Sequence, residues 1–275
     1  NSVAQGVSEI QSNANVEIKS TVQQINAIAE KIASLNHQIN VIEVQGGYAN
    51  ELRDERALLI DELSEIVPTE VSEVPVTNTN NPEMPTGANY YTVKIGGQIL
   101  VDTYDYETLT CVARENKVNQ SDIEGLYDIV WTKTGNTFKG GASSMSGSLK
   151  ALFDIRDGNN GENFSGTAKV VDSRHIQVVS PSITAIEAMT MPEQGLLTIY
   201  GRDYKYTNFT FETDADGNIT SYTFELEDAL STQDRVKVDG MQVAIGSSVD
   251  TMGVPYYMAQ MNQILRSVCA KFNDI

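Results

Sequence analysis

The stretch that decides the fold is residues 18–67, IKSTVQQINAIAEKIASLNHQINVIEVQGGYANELRDERALLIDELSEIV. Its first half lacks glycine and proline and carries isoleucine at every seventh position, with further apolar side chains three residues after several of them. This 3-4 repeat predicts one long helix with an apolar seam along one side. The seam consists of Ile18, Ile25, Ile28, Ile32, Leu35, Ile39 and Ile42.

A second helix follows directly in the sequence. The pair Gly46-Gly47 is expected to end a first helix over residues 7–45, and Pro68 to end a second helix over residues 49–66. Two helices joined by a short glycine turn predict an antiparallel hairpin. The apolar stripe of the second helix contains Leu52, Leu59, Leu63 and Ile66, with Arg56 between them.

The C-terminal segment predicts a third helix. From Pro255 onward, apolar residues recur in steps of three and four, at Met258, Met261, Leu265, Val268 and Phe272. One seam shields only one side of a helix, so we expect this segment to cover the hairpin. The helical patterns begin and end abruptly, and we interpret both chain ends as parts of a longer bundle.

Between the helices the apolar period changes from seven to two, which indicates strands. Residues 68–87 hold four prolines and predict an edge strand followed by a mobile loop. Residues 146–157 predict a short helix, with Ser146 or Ser148 as the N-cap and Gly158 as the stop. The second β region, residues 164–250, predicts strands at TAKVVD, HIQVV, GLLTIYG, KYTNFTFE, ITSYTFEL, DRVKVDG and MQVAIG.

These patterns together predict an α+β fold. A long-helix bundle built from both chain ends, residues 1–67 and 251–275, would enclose discontinuous antiparallel β domains. The first β region would span residues 68–158, including the short helix at 146–157. The second, outer β-rich domain would span residues 159–250.

The charge and the hydropathy of the sequence exclude nucleic-acid binding and a transmembrane helix. The formal net charge is −18, from 37 acidic and 19 basic residues, and no basic stripe is present, which excludes nucleic acid. No run of ~18 apolar residues occurs, which excludes a transmembrane helix. The first residues lack a secretory signal. Cys111 and Cys269 have neither C-x-x-C spacing nor neighbouring histidines, and we expect two free thiols.

The common catalytic and metal-binding motifs are incomplete in this sequence. The stretch 141–145 has Met145 where a serine hydrolase needs its second glycine. The two histidines, His37 and His175, are expected on the surface. An EF-hand loop starting at Glu212 would place Thr223 at position 12, where glutamate is required, so TDADGN is interpreted as a hairpin turn. We therefore predict no catalysis, no metal and no cofactor.

Four segments resemble the flagellar hook-associated protein 1 family. The hairpin at 33–67 carries the family's pattern at Asn50, Leu52, Arg53, Asp54, Arg56, Leu59, Asp61 and Leu63. GGQILVD at 96–102 is similar to the family's Gly-Gly-Gln-x-Leu-Val strand. SGSLKALFDIRD at 146–157 and the terminal helix YMAQMNQILRSVCAKFND are similar to two of its helices.

The resemblance implies a structural junction protein between the flagellar hook and filament. It implies a ring of identical subunits, with hook protein and hook-associated protein 3 as neighbours and an export chaperone for the full-length chain. It also implies an extracellular location, export without a cleaved signal, and terminal coiled-coil segments that this central fragment lacks. The alternatives are a hook-associated protein 3 or flagellin-like adaptor, and an extracellular adhesin on the same scaffold.

The residues expected to support structure and assembly fall into two sets. Ion pairing within the hairpin is assigned to Arg53, Asp54, Arg56, Arg156 and Asp157, with ordinary surface charge as the alternative. Apolar packing is assigned to Ile18, Ile25, Ile32, Leu35, Ile39, Leu52, Leu59, Leu63, Met261 and Leu265. The polar faces of the two hairpin helices are expected to form the contacts between subunits.

Overall fold

The computed structural model describes residues 2–273, which form five α-helices and thirteen β-strands. The helices are α1 (Ser2–Val44), α2 (Asn50–Ile66), α3 (Ser148–Asp157), α4 (Thr232–Val238) and α5 (Val254–Asn273). The first seven strands are β1 (Thr69–Asn78), β2 (Asn81–Ile95), β3 (Gln98–Asp102), β4 (Asp105–Tyr106), β5 (Leu109–Ala113), β6 (Tyr127–Trp131) and β7 (Thr137–Phe138). The other six are β8 (Phe164–Val170), β9 (His175–Val179), β10 (Gly195–Ile199), β11 (Arg202–Thr213), β12 (Ile219–Leu226) and β13 (Gln242–Ile245). This content confirms the α+β class.

The chain divides into two compact units. The helical unit comprises residues 14–113 and 127–153. The barrel unit comprises, within the described chain, residues 2–13, 114–126 and 154–273. These two units group the residues differently from the three predicted domains. The predicted domain boundaries stay a prediction.

The helical hairpin forms as the heptad pattern predicts. Ile18, Ile25 and Ile32 are fully buried along α1. The helix ends where the Gly47 amide donates to the Ile42 carbonyl at 3.1 Å, and Gly46 adopts a φ of +84° that side chains disfavour. The apolar seam is therefore the structural core of the hairpin.

Strands, rather than a third helix, complete the core around this seam. The apolar cluster that contains the α1 isoleucines also contains Val93, Ile95, Leu100, Leu109 and Trp131 from the sheets, with Leu149 and Phe153 from α3. The C-terminal helix α5 belongs to the barrel unit, and its predicted place over the hairpin stays a prediction. A sheet face buries apolar area as effectively as a helix does.

The segment predicted as a mobile loop is instead part of a long β-ribbon. β1 pairs antiparallel with β2 from Thr69↔Ile95 to Asn78↔Asn81, with register shifts after Pro75. Most side chains of β1 and of the first half of β2 are exposed, so no alternation of buried residues marks that part of the ribbon. β2 continues into the four-stranded sheet β1-β2-β3-β4, while β5-β6-β7 forms a separate sheet of three strands.

The barrel unit contains a closed six-stranded barrel in the order β10-β11-β12-β9-β8-β13. Aromatic side chains fill its interior, and Phe164, Tyr206, Tyr222 and Phe224 are at most 2% exposed. The Tyr222 hydroxyl donates to the Ile183 carbonyl at 3.0 Å, and burial raises the pKa of Tyr222 to about 12. The buried phenols are therefore hydrogen-bonded and neutral.

One predicted strand of the second β region is a helix. DRVKVDG, whose Val236 and Val238 alternate as in a strand, lies largely in α4. The Ser231 hydroxyl caps this helix by accepting from the Asp234 amide at 3.0 Å. The other six predicted strands of this region correspond to β8–β13.

Candidate assembly site

Arg53 joins the two hairpin helices through a bidentate ion pair. Its Nε and Nη2 each lie 2.6 Å from an oxygen of Glu43, near the end of α1. Its Nη1 lies 3.0 Å from Oε1 of Glu73 on β1. The hydrogen bond from Arg53 lowers the pKa of Glu43 against an opposing effect of burial. One guanidinium therefore ties α1, α2 and β1 together.

Arg56 lies deeper in the same cluster, with only 4% of its surface exposed. Its Nη1 donates to Oδ1 of Asn36 at 2.8 Å, and its Nη2 lies 3.3 Å from Glu73. Its guanidinium carbon lies 3.7 Å from the centre of the Tyr91 ring. We call Glu43, Arg53, Arg56 and Glu73 the hairpin clamp. The predicted ion pairing in the hairpin is therefore present for both arginines, whereas Asp54 is exposed.

Asparagines of α1 pair with the backbone of the strands. The Asn26 amide donates to the Leu109 carbonyl and its Oδ1 accepts from the Leu109 N–H, both at 2.8 Å. Asn40 makes the same pair of bonds with Asn89, both at 2.9 Å. Each asparagine side chain thus makes the two hydrogen bonds that a neighbouring strand would make with the backbone N–H and C=O of that residue.

These contacts give part of the polar face of α1 a role inside the fold. The polar face of α1 was assigned to contacts between subunits, yet Asn15, Asn36 and Asn40 are at most 7% exposed. Asn36 also donates to the Thr103 carbonyl at 2.7 Å. Sequence reasoning missed this role because the sequence does not distinguish a helical asparagine that is solvated from one that is hydrogen-bonded to a strand. The one available signal was the number of asparagines on the long helix.

Arg156 and Asp157 form a second buried ion-pair cluster, in the barrel unit. Arg156 is fully buried, and its Nη2 lies 2.8 Å from Oδ2 of Asp157. Arg114 lies 3.3 Å from the same oxygen. Burial alone would raise the pKa of Asp157, but Arg114 and Arg156 hold it below its usual value. The structure therefore places these two residues with Arg114, while their predicted role in the hairpin remains a prediction.

A buried amide lies beside this cluster. The Gln11 side chain donates to Oδ1 of Asp122 at 3.0 Å and to the Arg156 carbonyl at 3.2 Å. Its oxygen accepts from the Ile123 amide at 3.0 Å. Burial raises the pKa of Asp122. Gln11 thus links the beginning of α1 to the 119–123 loop and the end of α3.

The remaining predicted residues separate by burial. Ile18, Ile25, Ile32, Leu35, Ile39, Leu59 and Leu63 are at most 9% exposed, and Leu52, Met261 and Asp157 are half-buried. Leu265 is 62% exposed. It belongs to an apolar stripe on the second half of α5, together with Ile264, Val268 and Phe272. The first set stabilises the fold, and the α5 stripe is available to another protein segment.

The residues considered as calcium ligands or catalytic groups form hydrogen bonds or ion pairs within the fold. Oδ1 of Asp214 accepts from the amides of Asp216 and Asn218 at 3.0 and 2.9 Å, as a hairpin turn requires. His175 Nδ1 lies 2.8 Å from Asp172. Within residues 2–273, no acidic, histidine or cysteine cluster has metal-binding geometry. No helix in that range is long and apolar enough to cross a membrane.

The part of the chain that contains the hairpin matches a class of flagellar proteins. The chain belongs to the family described as the flagellar hook-associated protein FlgK helical domain, whose pattern matches residues 1–169. This confirms the resemblance found in the sequence.

Individual relatives carry the same name. Flagellar hook-associated protein 1 of Bacillus subtilis (strain 168) is 39% identical over 72 residues, 26% of this chain and 14% of that protein. Flagellar hook-associated protein 1 of Salmonella typhimurium is 29% identical over 276 residues, 85% of this chain and 44% of that protein. The protein of that name from Salmonella typhi matches equally. The chain thus spans less than half the length of these relatives.

Proposed function

We propose that this chain is part of a structural subunit of the bacterial flagellum that joins hook to filament. The observation that carries the proposal is the family match over residues 1–169, which includes the whole hairpin clamp. The clamp and the asparagine–strand pairs use polar residues to fix a rigid scaffold. Such a scaffold suits a protein that acts through contacts with other proteins rather than through catalysis.

Assembly would use the surfaces that the fold leaves exposed. We assign the contacts between identical subunits in a ring to the outer face of α2, where Glu51, Asp54, Leu58 and Asp61 are exposed. The exposed stripe of α5 would pack against another helical segment. The neighbouring proteins would be hook protein and hook-associated protein 3.

The location and export route belong to the same proposal. The full-length chain would reach the extracellular hook–filament junction through the flagellar export pathway, with a chaperone and without a cleaved signal. The alternative of a hook-associated protein 3 or flagellin-like adaptor has weaker support, since the relatives reported above carry the name hook-associated protein 1.

The test is to delete the native gene, examine the cells by electron microscopy and assay flagellin in the medium. Bare hooks with flagellin lost to the medium, restored by the full-length gene, are expected. Normal filaments on the deletion strain would contradict the junction role. Hooks missing altogether would place the protein earlier in assembly than we propose.

A further inference from the structure

A cleft of about 420 Å³ opens in the barrel unit between α5 and the loops at 159–165 and 182–190. Of the seventeen described residues that line it, only Glu162 is charged, although 20% of the chain is charged. The other polar lining residues carry amides and hydroxyls. Without a cation in its walls, the cleft does not suit a phosphate or carboxylate ligand.

The α5 wall presents hydrogen-bonding groups that the fold does not use. Tyr256, Gln260 and Gln263 are spaced by four and three residues, which places them on one face of the helix. Within the described chain, these three side chains make no hydrogen bond to protein, and neither do the hydroxyls of Thr184 and Thr190 in the opposite wall. Donors and acceptors thus line both walls of the cleft without protein partners.

The walls themselves are held in place. Arg266 of α5 donates to the carbonyls of Glu187 and Met189 at 3.2 and 2.7 Å. The backbone of Gln120 donates to the Thr190 carbonyl at 2.9 Å. Oδ1 of Asn159 accepts from the amides of Gly161 and Val249. A ligand would therefore meet a preformed site and lose little affinity to ordering the loops.

We propose that this cleft binds a neutral saccharide of about disaccharide size. Sugar hydroxyls both donate and accept, as do the glutamine amides and threonine hydroxyls around them. The ring of Tyr256, which lines the cleft together with Ala185 and Ala259, offers apolar surface to the C–H face of a sugar ring. The volume lies within the range of roughly 300–1,000 Å³ for small-molecule sites. This binding activity is separate from the junction role, and neither depends on the other.

Saturation-transfer NMR on the 275-residue chain tests the proposal with three probes. Cellobiose and N,N′-diacetylchitobiose are neutral, and 3′-sialyllactose is anionic. We expect signal transfer to at least one neutral probe at millimolar concentration, and shifted side-chain amide resonances for Gln260 and Gln263. Binding should weaken about tenfold in Gln260→Ala and in Thr184→Val, one on each wall, since each substitution removes hydrogen bonds.

One matched control variant and three possible results test the saccharide proposal. Gln233→Ala changes an exposed glutamine of α4 outside the cleft and should bind like the unsubstituted chain. An unchanged thermal midpoint must accompany the loss in Gln260→Ala, which excludes unfolding as its cause. No transfer to either neutral probe, equal transfer to 3′-sialyllactose, or binding that survives both wall substitutions would each overturn the proposal.

Discussion

The guanidinium carbon of Arg56 lies 3.7 Å from the centre of the Tyr91 ring, so a charge on α2 packs against an aromatic face of β2. Burial raises the pKa of Tyr91 and the Arg56 charge opposes that rise. The same guanidinium contacts Asn36 and Glu73. A buried cation requires such a complete set of partners, because any partner left alone is costly.

Replacement of Arg56 by methionine should destabilise the helical unit by about 3 kcal/mol, because Asn36 and Glu73 lose their shared donor. The measurement is urea unfolding followed by the fluorescence of Trp131, the sole tryptophan, which is buried in this unit. Arg235→Met, at an exposed site on α4, is the control. An equal midpoint for both variants would show that the clamp contributes nothing to stability.

The neighbouring leucines Leu58 and Leu59 provide a direct test of the hairpin packing. Leu59 is 9% exposed and Leu58 is 69% exposed. Leu59→Asp buries an unpaired carboxylate and should lower the free energy of unfolding by about 3–5 kcal/mol. We expect this loss of folding to abolish assembly as well. Leu58→Asp should fold normally. Far-ultraviolet circular dichroism during thermal unfolding compares the two. If Leu59→Asp melted with the unsubstituted chain, the seam would be misassigned.

Removal of the Asn26 amide should loosen the edge of β5. Asn26→Ala takes both hydrogen-bond partners from the backbone of Leu109, a residue 2% exposed. Amide hydrogen exchange at Leu109 should become about tenfold faster, and stability should fall by about 2 kcal/mol. Gln23→Ala, on the exposed face of the same helix, should leave exchange at Leu109 unchanged. Exchange that stays slow in Asn26→Ala would refute the strand-like role of this side chain.

The ion pair of Glu43 and Arg53 should make the helical unit sensitive to acid. The hydrogen bond from Arg53 lowers the pKa of Glu43 below its ordinary value of 4.5. The pair therefore contributes its full stability above pH 4.5 and loses it as the pH falls through the lower, folded-state pKa. Glu43→Gln should be less stable than the unsubstituted chain at pH 7, and the difference should vanish in acid.

Urea midpoints from Trp131 fluorescence across pH 7 to pH ~3 measure this linkage, which is present only while the carboxylate is ionised. Asp61→Asn, which alters an exposed carboxylate in the middle of α2, should follow the unsubstituted chain throughout. A Glu43→Gln difference that persists unchanged into acid would mean that packing, rather than charge, holds these two helices together.

Leu265 tests assembly rather than folding, and the test rests on the proposed function. Because Leu265 is 62% exposed, Leu265→Asp in the full-length gene should leave the thermal midpoint of the fragment nearly unchanged. It should nevertheless reduce the fraction of cells with filaments and increase flagellin in the medium. Ala270→Asp, on a different face of α5, should assemble normally. Normal filaments with Leu265→Asp would remove the α5 stripe from the assembly surface.

The sequence predicted best those elements whose signal is local. The α1–α2 hairpin follows from the heptad isoleucines and Gly46-Gly47, and six strands of the barrel follow from alternation within each segment. Arg53 and Arg56 were identified as clamp residues because both lie on a recognisable pattern near the turn. The partner Glu73, on β1, was not predicted, since nothing near it in the sequence marks it as different from other glutamates.

The errors share a physical cause, which is that distant contacts override local patterns. The prolines that follow the predicted edge strand indicate a mobile loop, but β2 begins there and pairs antiparallel with β1 from Asn78↔Asn81 onward. Val236 and Val238 alternate as in a strand, yet the Ser231 cap starts a helix there. The asparagines of α1 look solvated, and only the positions of Leu109 and Asn89 in space show what they bind.

The residues that contact one another around α1 are separated by very different lengths of chain. These separations set the order in which we expect the contacts to form during folding. Arg53 and Glu43 are 10 residues apart, Arg56 and Asn36 are 20 apart, and Asn26 and Leu109 are 83 apart. Closing a short loop costs less entropy and takes less time than closing a long one. The hairpin should therefore form first and present its row of amides as a template. The strands then add to this template, so mutations in the hairpin slow folding whereas mutations in the strands mainly speed unfolding.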